Sequence, residues 1–467
     1  MTPFDSYLAA LDPDPLASVH DGIIGRDAVV QGPFGPRRMI YADYIASGRA
    51  LRPLEAWIME HVLPWYANRH TEASHCGAAM TRMRRAARAA IAECIAAGPE
   101  HAVVFAGTGA TAGINRLVHL FAAGPGTTVL IGPYEHHSNI LPWRESGASV
   151  VEIPEAETGG PDLDALRAAL AAAPGPVIGA FSAASNVTGT LTDVAGVTAI
   201  LKRAGARAVW DYAGGAPYLA MDMRLGMDAI VFSPHKFIGG PGASGVLVLR
   251  RDAVVADQPS LPGGGTVRFV SPHGHDYAAT VEAREEGGTP NVVGDIRAAL
   301  ALLTKAAVGQ PRIAARNAEY LALGLARLGA HPGIALLGNL GAPRLPFFSF
   351  RIRDGRGGFI HQQLATRMLS DLHGVQARGG CACAGPYVHR LLGLDAAESD
   401  RLRAAILRGD EIEKPGFVRL NLCWAAGRAE VEAILDAVRD LADHAGDYLA
   451  QYRCNRATAI FTPIAAE

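Results

Sequence analysis

Short β-branched runs alternate with Ala/Leu-rich stretches from residue 101 to residue 250, and this alternation restricts the chain to very few architectures. The runs are AVVF (102–105), TVLIG (128–132), SVVEI (149–153), PVIGAFS (176–182), RAVWD (207–211), AIVFS (229–233) and GVLVLR (245–250). Between them lie helical patterns such as LDALRAALAAA (163–173), opened by Asp162 behind a proline. Strands separated by helices read as βαβ units closing a parallel sheet. A Gly/Pro-rich stretch from Pro259 to Pro290 ends the alternation, and one long helical pattern follows from Asp295 to Leu328. Beyond it come a strand in RLPFFSFRI (344–352), a helix near 359–371, a cysteine-bearing loop at 378–386, a strand in FVRLNL (417–422) and a closing helix over 429–444. The expected fold is α/β: a large domain with a mostly parallel seven-stranded sheet flanked by helices, plus a smaller C-terminal α+β domain. The expected ranges are 1–40 for an N-terminal segment that packs with the small domain, 41–310 for the large domain and 311–467 for the small one.

Composition narrows the function. In 467 residues, 49% are hydrophobic, 19% are charged and the formal net charge is -2, which suits a soluble globular chain and gives no basic excess for nucleic acid. The first twenty residues lack a basic start followed by an apolar run, and no uncharged stretch reaches membrane-spanning length. Six cysteines in so long a chain make no disulfide framework. Reduced thiols in a cytoplasm, open to nucleophilic or redox work, are the expectation.

Ligands of open parallel sheets bind beyond the carboxyl ends of the strands, and four places there carry reactive residues. FAGTGATAGIN (105–115) leaves a strand, turns through Gly107 and Gly109 and enters a helix, an arrangement that aims backbone N–H groups at a phosphate. Its GxG spacing also imitates a dinucleotide fingerprint with Glu135 as the ribose partner, and a ligand-free turn is equally compatible. Asp211 ends an apolar strand, as a costly buried carboxylate or a helix cap. Ser233, His235 and Lys236 follow another strand in SPHK, where the lysine is either solvated or a desolvated nucleophile. His136 and His137 follow a fourth strand, as core histidines or as rings able to stack on a planar ligand. Together, in this order, they ask for a phosphorylated aromatic aldehyde: a lysine for a Schiff base, an aspartate for a pyridine nitrogen and a helix end for a phosphate, which is the requirement of pyridoxal 5'-phosphate. A nicotinamide cofactor would leave Lys236 and Asp211 without a task.

From YADYIASG (41–48) to RLNL (419–422) the chain resembles the class V aminotransferase family of fold type I enzymes, and within it is most similar to the cysteine desulfurase and selenocysteine lyase branch. The resemblance implies Lys236 as the Schiff-base lysine, Asp211 as partner of the ring nitrogen, and His136 as the stacking ring and a proton carrier. Gly109, Ala110 and Thr111 would hold the phosphate with Ser233 and His235. Asn186 in SNVTGT would lie near the cofactor and the substrate, and Arg419 would clamp the substrate carboxylate. Thr289 matches a position that reaches the phosphate of a neighbouring subunit, which implies a homodimer.

RGGCACAG (378–385) bears on the reaction. Its two thiols could be idle or bind metal, although no second ligand pair at metal-binding spacing lies nearby. By the resemblance, Cys383 attacks the sulfur of bound L-cysteine, or the selenium of selenocysteine, to give alanine and a persulfide for passage to an acceptor protein. Departures from the branch are Gly214, where a glutamine is common, Cys381 and Ala382, where histidines are common, and a longer connection over 384–418. The alternative is another class V reaction: aminotransfer, epimerisation or C–S lysis of a different amino acid.

Overall fold

The computed structural model describes residues 2–68 and 72–464. The chain forms two compact units: Met1–Ile24 with Ser47–Ala184 and Thr192–Arg312, and Gly25–Ala46 with Ser185–Leu191 and Ile313–Glu467.

The first unit is built on a sheet of β1 (His101–Gly107), β2 (Thr128–Ile131), β3 (Ser149–Glu152), β4 (Val177–Ser182), β5 (Arg207–Asp211), β6 (Ala229–Phe232) and β7 (Gly245–Arg250). Their spatial order is β1-β7-β6-β5-β4-β2-β3, with only β7 antiparallel to its neighbours. The seven-stranded, mostly parallel sheet is therefore present. Its central strands are apolar on both faces because helices cover both, so they appear in sequence as unbroken hydrophobic runs. Helix α1 (Gly109–Leu120) buries Ile114, Leu117 and Leu120 with Val104, Val231 and Leu247, each such side chain contributing roughly 1.5–3 kcal/mol when removed from water. Helix α2 (Leu163–Ala172) starts as expected at Asp162, whose carboxylate accepts from the N–H groups of Asp164 and Ala165.

The pattern over 295–328 forms two helices, α3 (Val292–Val308) and α4 (Gln310–Leu328). They part at Gly309, which takes φ +87, a conformation open to glycine at little cost. The stretch from 259 to 290 contains a hairpin, Val267–Ser271 with Gly274–Tyr277, that its glycines and prolines did not announce.

The second unit holds β8 (Ile334–Leu336), β9 (Phe347–Ile352), β10 (Arg378–Gly380) and β11 (Phe417–Asn421) in the order β8-β9-β11-β10. Helices α5 (Gln362–His373) and α8 (Arg428–Tyr448) pack together in this unit, and α5 also packs on β10 and β11. The long connection folds as α6 (Gly385–Leu392) and α7 (Ala396–Leu407). The C-terminal tail makes a hairpin, Tyr452–Asn455 with Ile460–Pro463, tied down by Tyr452 Oη donating to Asp371 and by Ile412 N–H donating to Arg456 O. The expected ranges are contiguous, whereas the units are not. Ile40–Tyr41 pairs with Val375–Gln376, and Leu191 N–H donates to Pro343 O, so backbone hydrogen bonds place two early segments with the late residues. Residues 1–24, by contrast, belong to the first unit, where Tyr7 and Ser6 hydrogen-bond to Thr304 and Trp57.

Candidate active site

In the first unit, β1 ends at Gly107 and α1 opens at Gly109, with φ of +82 and +66. Thr108 provides no side-chain cap, so its own hydroxyl satisfies none of the N–H groups of the first turn of α1. Ala110 N–H donates to Ser233 Oγ at 2.9 Å. A Cβ on Gly109 would lie 3.0 Å from Ser233 Oγ and 3.3 Å from His235 Cε1. The close approach therefore requires glycine, and it brings the SPHK turn against a helix N-terminus suited to an anion.

Asp211 closes β5, 3% exposed, and accepts Ala213 N–H at 2.7 Å. Burial raises its pKa, opposed by that N–H and by the charge of Lys236. Behind it, Glu135 is 2% exposed and pushed up to about 7, chiefly by burial and partly by the nearness of Asp211. Its oxygens accept from Ser182 N–H and Asn139 Nδ2, both at 2.7 Å, and from Ser182 Oγ at 2.5 Å. A carboxylate so engaged is unsuited to the ribose contact that a dinucleotide would need.

His136 accepts Ser138 N–H at Nδ1, 3.1 Å, which puts the proton of the neutral ring on Nε2. Ser138 Oγ then meets Thr111 Oγ1 at 2.7 Å, linking His136 to the start of α1. His235 is held neutral, its pKa lowered to about 4 by burial and by Lys236. Lys236 sits in a short turn, Pro234–Lys236, directly after β6. A Cβ on Gly48 would fall 1.8 Å from Phe237 O and one on Gly240 1.9 Å from Pro234 O, so backbone packs against this turn on two sides.

The sequence has four lysines. Lys202 pairs with Asp228 and Lys414 with Glu411. Lys305, lowered to about 7 by burial, donates to the carbonyls of Ala216 and Leu219. Lys236 alone among them follows a strand end beside the α1 turn and acts electrostatically on Asp211.

The second unit gathers the other candidates. Arg419 on β11 is 4% exposed, donates from Nη1 to Asn186 O at 2.8 Å and pairs through Nη2 with Asp43 at 3.2 Å. The other Asp43 oxygen accepts Arg378 Nε at 2.8 Å. Asn186 Nδ2 donates to Ala382 O at 2.7 Å, while its buried Oδ1 has no partner among the described residues. Asn186 thus joins Arg419 to the cysteine loop. Cys383 is exposed, and both Ala382 and Cys383 take left-handed φ, +52 and +54, at a cost of roughly 1–2 kcal/mol each. Such strain persists where surrounding contacts over-determine the loop. Thr289 lies exposed in a bend, outside both clusters.

Asp43, Ser138 and Arg378 are polar partners that sequence reasoning missed. Ser138, two residues beyond a strand-end histidine, was findable as a local turn former; the Asp43 contacts span more than 300 residues and left no local signal. The six cysteines are thiols, no group of three or more His, Cys, Asp or Glu among the described residues is placed to hold a metal, and no helix of the described residues is long and apolar enough to cross a membrane.

The first cluster fits pyridoxal 5'-phosphate: a helix start that its N-cap side chain leaves uncapped, beside Ser233 and His235, suits the phosphate, and a buried aspartate suits a protonated ring nitrogen. A model of the aminotransferase class-V family matches residues 40–434. The chain is 30% identical over 367 residues to a probable cysteine desulfurase of Vibrio cholerae, covering 75% of this chain and 85% of that one. It is 31% identical over 330 residues to the cysteine desulfurase CsdA of Escherichia coli, covering 67% and 76%. In fold it matches a crystal structure of Escherichia coli CsdA in its S-sulfonic acid form, with a TM-score of 0.74 over 92% of this chain and 98% of that one, at 24% identity.

Proposed function

Because the chain belongs to the aminotransferase class-V family, we propose that it is a pyridoxal 5'-phosphate enzyme of cysteine desulfurase type, converting L-cysteine to alanine with transfer of the sulfur to Cys383. The observation that carries this reading is the link from Arg419 through Asn186 to Ala382, which ties a carboxylate-binding arginine to the loop that displays an exposed thiol.

The residues suited to the cofactor are Gly109, Ala110, Thr111, Ser233 and His235 for the phosphate, Asp211 for the ring nitrogen, His136 for the ring face and Lys236 for the aldehyde carbon. When bound, the cofactor supplies an electron sink for charge at the substrate α-carbon. Arg419 orients the substrate through its carboxylate, its fork held in place by Asp43 and Asn186 O. The Lys236 amine takes the α-proton. Cys383 Sγ, as thiolate, attacks the substrate sulfur; the new S–S bond forms as the C–S bond breaks. Nε2–H of His136 is positioned to return a proton to the three-carbon product. Thr289, exposed here, serves the phosphate site of a second copy in a homodimer, and a sulfur-acceptor protein takes the persulfide. The exposed thiols suit a reducing, cytoplasmic setting. Selenocysteine would react by the same route.

The test is alanine and sulfide release from L-cysteine with a reducing thiol present. Equal amounts from the wild type and none from Cys383→Ser support the reading; neither product from a cofactor-loaded wild type moves the activity to aminotransfer, epimerisation or lysis of another amino acid.

A further inference from the structure

Two nucleophilic side chains stand in the 378–385 loop, and the reaction above uses only one. Cys381 and Cys383 are separated by a single alanine. Ala384 N–H donates to Cys381 O at 3.2 Å, closing a turn whose central residues, Ala382 and Cys383, are both left-handed. With near-helical φ of inverted sign, the geometry of such a turn sets the Cα atoms of residues i and i+2 about 5.4 Å apart, as the rise and radius of a helix require. Disulfides form across Cα separations of about 4.4–6.8 Å. Both residues are solvent-accessible, Cys383 exposed and Cys381 partly so, and both are free thiols. Ala382 O is fixed by Asn186, so the turn that spaces them is anchored at its middle residue.

We propose that Cys381 is a resolving thiol that discharges the persulfide on Cys383, an inference that rests on the desulfurase reading. The Cys381 thiolate attacks Sγ of Cys383. An Sγ–Sγ bond forms, the bond from Cys383 Sγ to the outer sulfur breaks, and hydrosulfide leaves. The outer sulfur is reduced to sulfide and the two cysteine thiols are oxidised to a disulfide, so atoms and electrons balance with no outside oxidant. Hydrosulfide is a better leaving group than an alkyl thiolate, which favours this direction of exchange. The turn already spaces the two Cα atoms for the bridge, and a dithiol reductant restores both thiols for the next cycle. The enzyme would thereby release free sulfide in step with a dithiol, in addition to any direct handover to an acceptor.

The experiment is one exposure of the cofactor-loaded enzyme to L-cysteine without reductant, followed by trapping of free thiols, trypsin digestion and mass spectrometry of the peptide 379–390, which carries both cysteines and no other. Wild type should form one alanine and one sulfide per chain and then stop, its peptide lighter by two hydrogens and untouched by the trapping reagent. Cys381→Ser should form alanine and release little sulfide, its peptide heavier by one sulfur atom on Cys383. A dithiol added afterwards should restart wild-type turnover. Wild-type peptide that keeps the extra sulfur, or sulfide released equally by Cys381→Ser, overturns the resolving step while leaving the desulfurase reading intact. Absence of alanine from the wild type overturns that reading and this step with it.

Discussion

The strand ends of the first unit and the cysteine loop of the second hold reactive groups in opposite ways. Asp211, Glu135 and Ser233 are nearly inaccessible, and each is hydrogen-bonded to backbone or to a neighbouring side chain. Cys383 is exposed, on a four-residue turn with two consecutive left-handed residues. The first arrangement pre-organises charge in a low-dielectric setting, where a fixed carboxylate acts strongly on a cationic ring. The second keeps a nucleophile accessible to solvent. A group that only tunes a cofactor is best rigid, whereas one that carries an atom from substrate to acceptor has to reach both.

Substitutions in the two regions should therefore fail differently. Lys236→Ala should abolish both turnover and the visible absorbance of the bound cofactor, because no other lysine follows a strand end beside the turn that opens α1; Cys383→Ser should keep the absorbance while losing desulfuration. Absorption spectra of the two purified variants check the pair, and equal spectra would erase the distinction. Asp211→Asn should bind cofactor yet lower kcat by about 10²–10³-fold, the usual scale for a lost pre-organised charge, as steady-state kinetics will register.

Glu135 sharpens the contrast through pH. Its folded pKa of about 7 lies above the ordinary carboxyl value of 4.5, so its contribution to stability is fully present below pH 4.5 and is lost as pH rises through 7. Urea unfolding of Glu135→Gln against wild type should show the variant gaining about 2 kcal/mol relative to wild type between pH 5 and pH 8. A difference independent of pH would mean that Glu135 does not titrate there. The smallest effect is expected in the second unit. Arg419→Lys keeps the charge but loses the fork that spans Asp43 and Asn186 O, and should raise KM for L-cysteine about tenfold, a loss of about 1.4 kcal/mol.

Much of this was legible before any coordinates. All seven strands of the large sheet appear as short β-branched runs, the central ones unbroken because burial on both faces forces them to be so, and Asp162 marks its helix because an N-cap is a local device. Strand-end positions were readable for the same reason: Asp211 and the Ser233–Lys236 turn lie at or directly after runs that end abruptly. What escaped depends on distant partners. Gly309 splits a helix that periodicity joined, since its neighbours on both sides continue the pattern. The hairpin at 267–277 lies among glycines and prolines that obscure short alternation. Asp43 belongs with Arg419 only because the chain returns after 376 residues, and no spacing rule spans that distance.

The central claim is that the cofactor is held on Lys236 by the strand ends of the first unit, and borohydride reduction of the loaded enzyme followed by peptide mapping tests it most directly. With four lysines in the chain, the possible outcomes are few. The account predicts a pyridoxyl group on Lys236 alone. A pyridoxyl group on Lys305, the other lysine withdrawn from solvent and lowered to about 7, or on no lysine at all, would contradict it.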